Sequence, residues 1–313
     1  MKNETQYRRN GFRAFAAVFL SDRNWGLGHL KLPIKGDFLV VGKAVTLQPK
    51  IFNRMDLKIG DIQETALITL AIRASETDRP NARIKDFKAK EIIDALGVDV
   101  SKYDPFMSHE GVVARTIMYK NELEKLIKQY PDALCINLGC GFDDKFVQVD
   151  NGKITWFDVD LPDILAVRRK IYQDRDRCVM KEGSALESDW TKDLPKHSTT
   201  IVVMEGVLEY FTKEQVTTCL KMLCDSFEHG YLLAELHHPI MAKNTKHHDA
   251  VKYTNAQFQW GTKSGKEYLD LEPRLTLLSE QSYNVEMRKH SFRAKLFAFF
   301  LPFLNNRLAV YKW

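Results

Sequence analysis

Only 5 of the 313 residues are cysteine, an odd number with no Cys-x-x-Cys among them, which excludes a disulfide framework and a thiol-based metal knuckle. Cys135, Cys140, Cys178, Cys219 and Cys224 suit a reducing, cytoplasmic setting, and Cys135 and Cys178 fall in strand-like apolar runs where cysteine acts as a small hydrophobe. Long apolar runs are missing too. Ala14 to Leu20 and Leu296 to Leu304 fall far short of the ~20 residues a bilayer span needs, which excludes a membrane span. Arg8-Arg9 before Phe12 to Leu20 makes a poor export signal, because the run is short and no Ala-x-Ala site follows it. There is no Gly-x4-Gly-Lys-Ser/Thr, so a phosphate-cradling P-loop is excluded.

A basic surface is lacking over most of the chain despite a formal charge of +5. Residues 1–54 hold 10 Lys/Arg against 3 Asp/Glu, and the remainder holds 36 against 38. A body so balanced offers no phosphate-binding stripe, and no nucleic-acid partner is expected. Gly26, Gly28, Pro33, Gly36, Gly42 and Pro49 interrupt residues 1–54, which read as a dispensable extension of unknown role ahead of one domain over 55–313.

What the chain does have is a strand-length apolar run, Ala133 to Leu138, ending in Gly139-Cys140-Gly141. A glycine turn after the first strand of a doubly wound sheet marks the ligand crevice. A second run, Lys153 to Asp158, ends in an acid 19 positions after Gly139, a spacing that suits a carboxylate on a ribose diol. The dinucleotide fingerprint wants a third glycine where Asp144 stands, so a nicotinamide cofactor is disfavoured.

Helical spacing covers Asp61 to Ala74, Asp86 to Leu96 with Gly97 as its stop, and Gly111 to Gln129. Strands and helices then alternate. Strands are expected near 178–182, 200–205 and 231–235, and helices over 163–173 and 213–227, the rhythm of a parallel sheet covered on both faces. The predicted layout is an N-terminal helical cap over about 60–130, then a sheet domain over about 131–313 carrying a lid insertion over about 239–272. The Phe292, Leu296, Phe299, Phe300 and Phe303 stripe is expected to bury itself against the sheet; a membrane-surface helix or a substrate wall are the other readings.

Together these pieces resemble the class I S-adenosylmethionine-dependent methyltransferases of the leucine carboxyl methyltransferase type, which include bacterial polyketide carboxyl O-methyltransferases. The similarity rests on Arg73-Ala74, Arg79-Pro80, Arg115, Asn137-Leu-Gly-Cys-Gly-Phe-Asp143 and Asp158-Val-Asp-Leu-Pro162. It continues through Ser184-Ala-Leu186, Glu205-Gly-Val-Leu208 with Tyr210, and Phe258-x-Trp-Gly261. Lys145 stands where the family often has Arg, and Glu209 where an apolar residue is usual.

The resemblance implies a Rossmann-like α/β fold with seven strands, the last antiparallel, and S-adenosylmethionine as cofactor. It places Asp158 on the ribose diol, Leu138, Gly139 and Gly141 along the methionyl part, and Arg115 and Arg73 on its carboxylate. Ala185 and Leu186 bracket the adenine, and Glu205 lies near the ammonium and sulfonium. Glu209 and Tyr210 bound the acceptor. His237 or His238 is a candidate general base if the acceptor is a hydroxyl; a metal held by these and His247-His248 is disfavoured, since adjacent strand residues face opposite ways. The expected reaction is methyl transfer to a carboxylate or hydroxyl oxygen of a small organic molecule. The rival readings are a non-catalytic sensor or scaffold that binds the same cofactor, and a nicotinamide oxidoreductase. The sequence leaves the oligomeric state open.

Overall fold

The computed structural model describes residues 65–313 except 98, 244, 246–250, 252–253, 255 and 301–303, all within the unit formed by 51–313. The extension 1–54, His247, His248 and Phe303 lie outside the described residues.

Three helices come first, α1 (Thr65–Thr77), α2 (Phe87–Leu96) and α3 (Phe106–Gln129). The Asp86 side chain accepts from Ala89 N to start α2, and Gly97, at φ 61°, stops it where only glycine is unstrained. Leu67, Leu70, Ala71 and Ala74 of α1 pack on Ala89, Ile92, Ile93 and Leu96 of α2. The Arg83 guanidinium donates to Glu76 of α1 and Glu110 of α3, fastening the cap. The α3 helix begins five residues before the expected Gly111, with Pro105 at its N-cap.

Then come β1 (Leu134–Leu138), α4 (Lys145–Val149), β2 (Thr155–Asp160), α5 (Pro162–Ile171), β3 (Cys178–Glu182), β4 (Thr200–Met204), α6 (Lys213–Ser226) and β5 (Gly230–Leu236). The chain finishes with α7 (Pro239–Lys243), α8 (Glu267–Leu271), β6 (Thr276–Ser282), α9 (Asn284–His290), α10 (Phe292–Phe300) and β7 (Arg307–Lys312). All seven strands form one sheet in the order β3-β2-β1-β4-β5-β7-β6. The β7 strand runs antiparallel to β5 and to β6, while the other pairs are parallel, as expected.

Strand alternation divides the core. Leu134, Ile136 and Leu138 join Val202, Met204, Leu220 and Leu223 on one face, and Cys135, Ile201, Val203 and Trp156 join Tyr119, Leu123 and Leu126 of α3 on the other. All five cysteines are buried and unbridged. Strand order reverses between β1 and β4, so the crevice of a doubly wound sheet opens beyond Leu138 and Met204.

The α10 helix corrects the expectation that its phenylalanines pack on the sheet. Ala294 and Ala298, four apart on one stripe, are buried, whereas Phe292, Phe299 and Phe300 are exposed. Among the described residues, no helix is long and apolar enough to cross a membrane, and no group of three His, Cys, Asp or Glu is placed to hold a metal.

Candidate active site

The turn after β1 is built on two glycines. Gly139 and Cys140 both donate to the Val159 carbonyl, and Gly139 and Gly141 take φ of 77° and 52°. A Cβ on Gly139 would stand 2.4 Å from Val207 Cγ2, so the β1 and β4 turns close on each other through this residue. Gly139→Ala is therefore expected to lower stability by about 1–2 kcal/mol from its backbone alone, to displace Val207, and to weaken cofactor binding. Adding Val207→Ala should recover only the steric share, as melting and calorimetric titration will read out.

Asp158, the residue expected on the ribose, lies beneath this turn and does not line it. The β2 strand runs two residues past the expected end, and Asp158 lies one pleat inside it, 2% exposed. Its carboxylate accepts from Arg168 Nη2 at 2.6 Å, Trp156 Nε1 at 2.9 Å and Asn137 Nδ2 at 3.2 Å, and is spent on them. Arg168 also donates to the Gly141 carbonyl, so this buried pair fixes the turn from beneath. Asp160, at the strand's true end, accepts from Gly141 N at 2.7 Å and Leu161 N at 2.8 Å while staying half-buried at the crevice. Burial pushes its carboxyl up against the pull of these two amides.

Across the crevice lies a cluster of charges. Arg115 Nε meets Glu205 Oε1 at 2.7 Å and its Nη1 donates to Glu235 Oε2 at 2.8 Å, while Lys145 Nζ pairs with Glu205 Oε2 at 2.7 Å and with Asp143. Arg115 is thus engaged by two buried carboxylates. Burial would raise the Glu205 carboxyl, but Arg115 and Lys145 outweigh it and hold it at about 2. Burial also lowers Lys145, against the attraction of Glu205. Glu209, in the turn after β4, has a buried carboxyl beside Glu235 and Arg115. Four acids, Asp143, Glu205, Glu209 and Glu235, thus stand against the two bases Arg115 and Lys145, a set that suits a cation.

The remaining residues fall around these two features. Arg73 is buried, its Nε donating to Asp86 and its Nη2 to the Phe142 carbonyl just past the glycine turn. The Leu138 side chain belongs to the core, which leaves its backbone to face the crevice. Ala185 and half-buried Leu186 follow β3, in a turn closed by Trp190 Nε1 donating to the Ser184 carbonyl.

Tyr210 shares a hydrogen bond with Thr65 and lies 5.6 Å from the Phe258 ring, which lies 4.2 Å from buried His237. Ile68 and Ile72 of α1, Val112 and Val113 of α3, and Val251, Ala256 and Phe258 of the insertion form one apolar cluster over Tyr210. His238 faces away from this wall. Its Nδ1 accepts from Ile240 N, and burial with Arg307 and Lys263 lowers its pKa.

Sequence reasoning did not single out Asp160, Asp143, Lys145 and Glu235, which the structure brings to the crevice and its charge cluster. For Glu235 a signal existed, since it ends an apolar strand just as Glu205 does.

Comparison with known proteins agrees with this fold. The leucine carboxyl methyltransferase family model matches residues 66–224, half of the chain. The tetracenomycin polyketide synthesis O-methyltransferase TcmP of Streptomyces glaucescens is 25% identical over 207 residues, covering 66% of this chain and 77% of that one. The S-adenosyl-L-methionine-dependent methyltransferase dpfgK of Gibberella zeae is 22% identical over 192 residues, covering 56% and 64%. The crystal structure of a candidate methyltransferase from Thermobifida fusca shares the fold at a TM-score of 0.53 and 9% identity, covering 79% of this chain and 93% of that one. A DUF574 family protein of Streptomyces avermitilis does so at 0.52 and 12%, covering 79% and 96%. The family match sets aside the nicotinamide and non-catalytic readings. The match over half of the chain makes this protein a member of the leucine carboxyl methyltransferase family, an enzyme that uses S-adenosylmethionine.

Proposed function

We propose that the enzyme methylates an oxygen, carboxylate or hydroxyl, of a small, largely apolar organic acid or phenol of polyketide type. The observation that carries this reading is the apolar cluster of cap and insertion packed over Tyr210, next in the chain to Glu209 of the acid-rich crevice. The similarity to a polyketide O-methyltransferase supports the oxygen acceptor.

The cofactor supplies an electrophilic methyl group on a sulfonium, so the protein has little covalent chemistry to perform. In this reading Asp160 would take the ribose diol, Arg73 the methionyl carboxylate, and the backbone of Leu138 to Gly141 the methionyl chain. Ala185 and Leu186 would bracket the adenine, and Glu205 the ammonium side. The cap cluster excludes water and holds the acceptor oxygen in line, which is where most of the rate would come from. A carboxylate is already ionised near neutrality and needs no base. For a hydroxyl, His237 stands on the acceptor wall and is the candidate base, while His238 is not.

The test is incubation of the full chain with S-adenosylmethionine and a panel of aromatic carboxylic acids and phenols, with products read by mass spectrometry. A base-labile methyl ester is expected for acids and a base-stable ether for phenols. Methylation confined to nitrogen or sulfur acceptors, or to protein C-termini, would overturn the reading.

A further inference from the structure

Glu209 is unaccounted for by any of these roles. It lies behind Gly206 in the turn after β4, and it is an acid where the resembled family carries an apolar residue. Its carboxyl is buried, Oε1 stands 3.8 Å from where a Gly206 Cβ would be, and Oε2 has no hydrogen-bond partner among the described residues. The groups that face it are Glu235 from β5, Glu205 at the end of β4, Arg115 and Tyr119 from α3, Tyr268 from α8 and neighbouring Tyr210. Arg115 pairs with Glu205 and Glu235, and Lys145 with Glu205 and Asp143, so among the described residues Glu209 feels the Arg115 charge without an ion pair of its own.

We propose that Glu209 is the residue by which the site tells the charged methyl donor from its uncharged product, exchanging its proton for the sulfonium. This rests on the cofactor placement proposed above. Burial and the neighbouring Glu235 push the Glu209 carboxyl up to about 8, so the unliganded protein holds that proton at neutrality. A cation within ~4–6 Å lowers a carboxyl by about one to three units, and a fall of about two or more releases most of that proton at pH 7. On binding, Glu209 gives one proton to solvent and its carboxylate faces the sulfonium. On transfer, the S–CH3 bond breaks with its electron pair staying on sulfur, the methyl joins the acceptor oxygen, and Glu209 recovers a proton from solvent. The thioether product then has no charge to be held by.

The experiment is isothermal titration of the full chain at pH 7.0 with S-adenosylmethionine and with S-adenosylhomocysteine, each in two buffers of different ionisation enthalpy. The wild type is expected to release close to one more proton with the donor than with the product. In Glu209→Gln that excess should vanish, with donor affinity down roughly tenfold, a one-unit pKa equivalent, and product affinity within about twofold. Subtracting the variant removes titration of the ligand's own amine. Equal proton release for the two ligands in the wild type, or an excess surviving in the variant, overturns the proposal. Should the variant not fold, the wild type alone decides: the ratio of donor to product affinity must rise severalfold from pH 6 to 7.5, and a flat ratio rejects it. Failure of the underlying placement looks different, since both ligands would then bind indifferently to Asp160→Asn.

Discussion

Asp158→Ala is expected to lower stability by about 3–5 kcal/mol, the range for removing one partner of a buried ion pair. The loss is large because Arg168, 1% exposed, keeps its charge with no carboxylate to meet it. Water cannot reach the orphaned guanidinium without opening α5 from β2. Trp156 Nε1 and Asn137 Nδ2 lose their acceptor at the same time. Against a typical total of ~5–15 kcal/mol this is a large share, and a melting temperature lower by roughly 10 °C is expected at ~2–4 °C per kcal/mol. Thermal melts of the unliganded protein will measure it. Asp158→Ala/Arg168→Met removes both charges and should recover most of the loss. Unchanged stability in the single variant would mean that the pair is not formed.

Asp160→Asn should do the opposite. The asparagine keeps an oxygen for Gly141 N or Leu161 N, so the melting temperature of the unliganded protein should stay within a few degrees. A charged hydrogen bond to the ribose is worth about 1.5–3 kcal/mol, or roughly ten- to a hundredfold in affinity, and calorimetric titration with S-adenosylhomocysteine should show a loss of that size. Two acids separated by a single valine thus answer different questions, one about folding and one about binding. Should Asp158→Asn weaken binding at unchanged stability while Asp160→Asn does not, the roles given to them here are reversed.

The reason these two were hard to tell apart in the sequence is geometric. Residues two apart on a strand share a face, so periodicity places Asp158 and Asp160 on the same side and only the strand's end decides which reaches the crevice. The end was placed two residues early, at the last apolar-rich position, because Val159-Asp160 reads as the start of a turn before Pro162. By contrast, the glycine turn after β1, the helix stop at Gly97 and the alternation from β2 to β5 were all legible, since each depends on local backbone chemistry. The charge cluster was not. Arg115 meets Glu235 across 120 residues of sequence, and such pairing is set by tertiary packing that no local pattern encodes. The α10 helix failed for another reason: its alanines, not its larger phenylalanines, form the stripe that a close helix approach requires.

The sheet order carries a consequence for how the chain is made. Strand β6 borders only β7, and β5 borders β7 on its outer side, so both edges stay open until residues 307–312 have been synthesised. Until then the growing protein displays β5, buried at every position in the finished fold, as a bare apolar ribbon. A nascent chain halted just short of β7 is the species on which a chaperone would act and from which aggregates would grow.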